Sequence, residues 1–153
     1  MNNKIDKKQV SIVIPAYNEE LGIRDSLNKL LAVMRDSDLE FEVIVVDDGS
    51  NDKTVEMIEG IEVKLIKQEF NRGYGASLKA GIEQAMYGLI AITDADSTYP
   101  ANRLPELINW MGDNDMVVGA RTGGNVSIPL LRRLPKIVLN KYANYLVKYN
   151  IPD

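Results

Sequence analysis

The chain has no cysteine, no histidine, one tryptophan (Trp110) and two phenylalanines. Without cysteine, disulfides, thiolate nucleophiles and Cys-bound zinc or iron–sulfur centres are excluded. Without histidine, a Ser-His-Asp triad, the common zinc enzymes and the usual near-neutral general base are excluded. No apolar run reaches the roughly 18 residues that span a bilayer. The first eight residues lack the apolar stretch of a signal peptide. No Gly-x-x-x-x-Gly-Lys-Ser/Thr segment occurs, which excludes a P-loop NTPase. Chemistry is left to carboxylates, hydroxyls, Lys, Arg, backbone amides and a metal held by oxygens.

What is present is ordinary globular material. In 153 residues, 45% are apolar and 26% charged, enough for one domain over 1–153 with a real core. The net charge of −4 is uneven. From Thr122 to Asp153 there are five basic residues (Arg132, Arg133, Lys136, Lys141, Lys148) and one acid, so that segment is +4 and the first 121 residues are −8. An acidic body disfavours nonspecific nucleic-acid binding. A basic C-terminal stretch suits a phosphate group or an anionic membrane surface, or is simply a solvated helix face. The expected location is cytoplasmic, with association at the cytoplasmic face of a membrane left open.

Ser11–Pro15 and Phe41–Val46 read as short buried strands. Ile61, Val63 and Leu65 alternate with charged residues, as in a strand at a sheet edge. Leu89–Thr93 and Met116–Ala120 read as a fourth and a fifth strand. Between them, Ile23, Leu27, Leu30, Leu31 and Met34 form one helical stripe, with Asn18 placed to cap that helix. A short helix is expected from about Lys53 to Glu59, closed by Gly60. Leu78, Ile82, Ala85 and Met86 mark a third helix after the turn Arg72-Gly73-Tyr74-Gly75. Leu104, Leu107, Ile108 and Met111 mark a fourth. Tyr142, Tyr145 and Tyr149 lie at helical spacing and read as core positions or a membrane-interface belt. The alternation predicts an α/β fold, a mainly parallel Rossmann-like sheet with helices on both faces.

Ligands of such sheets bind beyond the carboxyl ends of the strands. Four strand ends carry distinctive residues: Pro15-Ala16-Tyr17-Asn18-Glu19, Asp47-Asp48-Gly49-Ser50, Asp94-Ala95-Asp96 and Gly119-Ala120-Arg121. Acids without His or Cys are hard oxygen donors, which select Mg²⁺ or Mn²⁺. Arg121, with Arg132 or Arg133, is suited to meet phosphates bidentately. Each cluster also has a bland reading, as a helix cap, a turn or a water-facing pair. Gly73 and Gly75 do not make a dinucleotide fingerprint.

In order and spacing, Pro15-Ala16-Tyr17-Asn18-Glu19, Val45-Val46-Asp47-Asp48-Gly49-Ser50, Asn71-Arg72-Gly73-Tyr74-Gly75 and Asp94-Ala95-Asp96 resemble the inverting family 2 glycosyltransferases. Gly119-Ala120-Arg121 and Arg132-Arg133 resemble their polyprenyl-phosphate branch, of the dolichyl-phosphate mannosyltransferase type. The resemblance covers roughly Ser11 to Asp153. It implies a GT-A fold and inverting transfer of a sugar from a UDP- or GDP-sugar to a polyprenyl or dolichyl phosphate. It also implies a Mg²⁺ or Mn²⁺ cofactor. Pro15, Ala16, Tyr17, Glu19, Asp47, Asp48, Arg72, Asp94 and Ala95 become nucleotide-sugar contacts, with Asp48 reading the base edge. Asp94 and Asp96 become metal ligands and, with Arg121, the catalytic set. Arg121, Arg132 and Arg133 become the acceptor-phosphate contacts. In the family more chain follows the position of Asp153, so the resemblance implies C-terminal truncation. Thr98 stands where that branch often has Gln, and Tyr87-Gly88 where relatives usually read Gly-Asp. Two other readings stay open: a nucleotide-sugar-binding module without turnover, and a receiver-like phospho-acceptor domain.

Overall fold

The computed structural model describes residues 8–96, 98–112 and 114–119. The backbone forms two compact units, Met1–Asp115 and Met116–Asp153. In the first, four parallel strands lie in the order β3-β2-β1-β4: β1 (Gln9–Ala16), β2 (Glu40–Asp47), β3 (Lys64–Lys67) and β4 (Ile90–Ile92). Four helices connect or follow them: α1 (Ile23–Arg35), α2 (Thr54–Ile58), α3 (Tyr74–Glu83) and α4 (Leu104–Asn109).

The two central strands form because their apolar runs can be buried on both faces, as a parallel sheet demands. They pair from Gln9↔Glu40 to Ala16↔Asp47. On one face Val10, Ile12, Ile14, Val43 and Val45 meet the α1 stripe of Ile23, Leu27, Leu30, Leu31 and Met34, with Ile58 of α2 and Ile108 of α4. On the other face Val13, Ile44 and Val46 lie under α3 with Leu78, Ala80 and Ala85. Helices thus cover both faces, as the alternating pattern implies.

Four details differ from the sequence expectation. α1 begins at Ile23, not after Asn18. Asn18 takes the left-handed backbone (φ 56°) that Asn tolerates, and its side chain accepts the Asn51 amide at 2.9 Å. β3 begins only at Lys64, because Ile61 and Val63 pack into the α1-side core before the ladder starts. α3 does not dock through Ile82 and Met86, which are exposed. It docks through Ser77 and Gly81, with Leu78 and Ala80 packed beside them, and Gly81 sits so close that a Cβ would collide with the Val13 side chain. The run at 116–119 forms no strand, and Met116 and Val118 are exposed. A five-residue apolar run is only compatible with a strand, and becomes one where a ladder partner is available. Among the described residues, no helix is long and apolar enough to cross a membrane.

The chain runs β1 to β2 to β3 toward one edge, then returns so that β4 pairs with the other side of β1. The order reverses between β1 and β4, and their carboxyl ends diverge there into a crevice.

Candidate functional site

A cavity of about 300 Å³ opens in that crevice, lined by Pro15, Ala16, Tyr17, Glu19, Asp48, Tyr74, Asp94, Ala95 and Asp96. Its volume is at the lower end of small-molecule sites. β1 supplies one wall and the loop after β4 the other. A second cavity of about 240 Å³ lies on the α1 side and shares Asp94 with the first.

The first wall is stitched to the loop after β2. The Asn18 amide donates to Ser50 Oγ (2.9 Å), the Glu19 amide to Thr54 Oγ1 (2.7 Å) and the Glu20 amide to Asp52 Oδ2 (3.1 Å). In return, Lys53 donates its amide to Glu20 Oε2 at 3.0 Å. Asp52 is held below the ordinary carboxylate value. Burial opposes this, and hydrogen bonds from the Thr54 hydroxyl and from the Thr54 and Glu20 amides outweigh it.

Adjacent residues at a strand end face opposite ways, and this separates the two acids that end β2. Asp47 turns to the Val45 face, is buried and lines neither cavity. Its Oδ2 accepts the Ser50 amide at 3.4 Å, and its Oδ1 is buried without a hydrogen bond among the described residues. Asp48 turns to the α3 side and lines the first cavity at only 4% exposure. Its two oxygens accept the Arg72 and Gly73 amides at 2.8 and 2.9 Å. The glycine-rich turn is therefore held by an internal carboxylate. Gly49 brings the same turn close, since at φ 71° its Cα faces the backbone of Phe70 and Asn71.

On the opposite wall Asp94 Oδ1 accepts the Tyr74 hydroxyl at 3.2 Å, and Asp96 Oδ1 accepts the Thr98 amide at 2.9 Å. Glu19 is raised above its ordinary value of 4.5, first by burial and then by the charges of Asp96, Asp52 and Asp94. The Tyr74 phenol is raised by burial, then by the charge and hydrogen bond of Asp94 and by Tyr99. Among the described residues, no Lys or Arg lines this cavity.

The structure thus gathers eight of the expected residues: Pro15, Ala16, Tyr17, Glu19, Asp48, Asp94, Ala95 and Asp96. It does not bring in Asp47 or the side chain of Arg72, which contributes its backbone amide to Asp48 instead. Arg121, Arg132 and Arg133 lie outside the described residues. Tyr74 is a cavity residue that the sequence reading missed. The available signal was an aromatic hydroxyl at the first helical position after a glycine turn.

One stability effect follows from the crowding. A carboxyl with a raised folded value contributes stability that is present below its unfolded value and lost as pH rises through the folded one. Ionised Glu19 therefore opposes folding at neutral pH. Glu19→Gln should raise the melting temperature of the metal-free chain at neutral pH, with the gain vanishing below the ordinary carboxylate range. Equal gains at both ends of a pH series of thermal melts would contradict this.

The Glycosyl transferase family 2 description matches residues 11–153. The undecaprenyl-phosphate 4-deoxy-4-formamido-L-arabinose transferase of Pectobacterium atrosepticum is 34% identical over 141 residues, covering 88% of this chain and 43% of that protein. The protein of the same name from Photorhabdus laumondii is 36% identical over 139 residues, covering 87% and 42%. Among solved structures, the mannosyltransferase PcManGT from Pyrobaculum calidifontis, in complex with GDP-Man and Mn²⁺, is similar with a TM-score of 0.60 and 26% identity. That match covers 70% of this chain and 33% of the other. The chain spans less than half the length of these relatives.

Proposed function

The chain belongs to glycosyl transferase family 2 and has the GT-A fold, and from that premise we propose that its crevice binds a nucleotide-diphosphate sugar for transfer to a polyprenyl phosphate. The observation that carries the reading is the cavity at the β1/β4 switch point, where Glu19, Asp48, Asp94 and Asp96 converge without a basic residue among the described ones. Relatives named for an undecaprenyl-phosphate acceptor support the acceptor class. A neighbour holding GDP-Man and Mn²⁺ supports the donor class and a divalent ion.

The donor set fits a hard cation. Asp94 and Asp96 follow one strand end and line the same cavity as Glu19, which is raised by burial and then by the charges of Asp96, Asp52 and Asp94; a cation would relieve that charge repulsion. Among the described residues, no group of three or more potential ligands is assembled. Mg²⁺ or Mn²⁺ commonly takes one or two carboxylates and leaves other positions to water and phosphates. Asp94 and Asp96 would hold the ion. When bound, it supplies positive charge against the diphosphate leaving group.

Tyr17 and Pro15 offer an apolar wall to the nucleoside, and Glu19 offers an acceptor to its hydroxyls. An oxygen of the acceptor phosphate attacks the anomeric carbon from the face opposite the nucleoside diphosphate. The glycosidic C–O bond breaks with inversion, and its electron pair leaves on the diphosphate. A phosphate oxygen is already anionic, so no general base is required, in keeping with a chain that lacks histidine. A lipid-phosphate acceptor would bring this site to a membrane surface, and anionic headgroups attract basic sequence such as that after Thr122.

The test is a thermal-shift panel of UDP-, GDP- and dTDP-sugars with and without Mn²⁺. A shift with one nucleotide class that requires the ion is expected. No shift with any of them counts against the assignment.

A further inference from the structure

This inference rests on the reading of Asp94 and Asp96 as the acids that face a cation. We propose that Tyr74 is a positioning residue, whose hydroxyl holds one oxygen of Asp94 and so orients the carboxylate in the cavity.

The contact is 3.2 Å, from Tyr74 Oη to Asp94 Oδ1. Asp94 lies just beyond β4 in backbone without regular structure. A carboxylate there can turn about two side-chain torsions, and a fixed donor removes that freedom. Tyr74 is such a donor because its backbone is held from several directions. Both oxygens of buried Asp48 take the Arg72 and Gly73 amides just before it. Gly49 lies against the backbone of Phe70 and Asn71 with no room for a side chain. Ser77, one turn into α3, is buried and donates to the Gly73 carbonyl at 3.4 Å, while Gln68 Nε2 donates to Ser77 Oγ at 2.8 Å.

The chemistry of the donor matters as well as its placement. A lysine at this point would orient Asp94 but also cancel its charge, weakening it as a cation ligand. A phenol hydrogen-bonds one oxygen and leaves the carboxylate anionic. Partners of this kind around metal ligands typically change metal affinity by about 10–100-fold.

Tyr74→Phe removes only the hydroxyl of a half-exposed ring. Mn²⁺ alone would be titrated into the 153-residue chain and free Mn²⁺ followed by its EPR signal, with thermal melts of the metal-free protein alongside. The expected result is about tenfold weaker Mn²⁺ binding at an unchanged melting temperature. Asp96→Asn, run in parallel, should lose binding more severely. If Asp96→Asn weakens Mn²⁺ binding and Tyr74→Phe does not, the positioning role is overturned while the site reading stands. If Tyr74→Phe lowers the melting temperature and leaves Mn²⁺ affinity intact, Tyr74 serves packing and the role is again overturned. If Asp96→Asn binds Mn²⁺ like the wild type, the site reading falls and takes the role with it.

Discussion

In EDTA, UDP or GDP should bind this chain at least about a hundredfold more weakly than in saturating Mn²⁺. The magnitude follows from charge alone. Glu19, Asp48, Asp94 and Asp96 line the cavity, and no Lys or Arg joins them among the described residues. A diphosphate entering that space brings further negative charge. Two like charges about 4 Å apart repel by roughly 4 kcal/mol at the effective dielectric of a protein surface. Each 1.4 kcal/mol is about tenfold in affinity, so a single such contact reaches the stated factor after generous screening. Asp96→Asn should retain part of the nucleotide binding in EDTA, because it removes one repelling charge. It should lose most of the gain from Mn²⁺, because it removes a proposed ligand. Binding linkage requires the reciprocal result: the nucleotide should tighten Mn²⁺ binding by the same factor. Isothermal titration of each ligand with and without the other checks both. Equal nucleotide affinity in EDTA and in Mn²⁺ would show that the diphosphate lies elsewhere than against Asp94 and Asp96.

Gly49→Ala should destabilise the fold by about 3–5 kcal/mol. Two costs combine at this position. The backbone is left-handed, at φ 71°, which a non-glycine residue adopts only with strain. A Cβ would also stand 2.6 Å from the Phe70 carbonyl carbon and 2.8 Å from the Asn71 nitrogen. Neither is a flexible side-chain tip that can swing aside, so the turn carrying Tyr74 must move as a body. Gly60→Ala separates the two costs. Its φ of 78° carries the same strain, yet among the described residues nothing lies within 4 Å of the added carbon, so about 1 kcal/mol is expected. Urea denaturation of the two variants should place their midpoints well apart. Coincident midpoints would mean that the contact with the Phe70 turn contributes little.

The central strands were legible because parallel strands covered on both faces read as unbroken apolar runs, and Val10–Ala16 and Val43–Val46 are buried throughout. The acids of the site were legible because each follows an apolar strand run by two to four residues. What failed was information that lies off the local chain. Large apolar side chains dominate a helical periodicity, so Ile82 and Met86 were expected to face the sheet, whereas the small residues Ser77 and Gly81 do. Close docking rewards the absence of a side chain, and an absence leaves no hydrophobic signal. Of Asp47 and Asp48, only three-dimensional placement tells which faces the crevice. Tyr74 meets Asp94 from 20 residues away, and that meeting depends on how α3 is aligned over β1 and β2. Asn18 carries the same amide that caps helices, and only its left-handed backbone shows that it serves a loop crossing instead.

The stitching of residues 18–20 to residues 50–54 has a consequence for how a ligand is received. Those bonds run from backbone amides to side chains of the facing segment, so neither segment can swing out without unmaking contacts of the other. If this wall receives a nucleoside as proposed, it does so already formed. Little ordering entropy would then be lost on encounter, and selectivity among bases would rest on rigid shape rather than on adaptive closure.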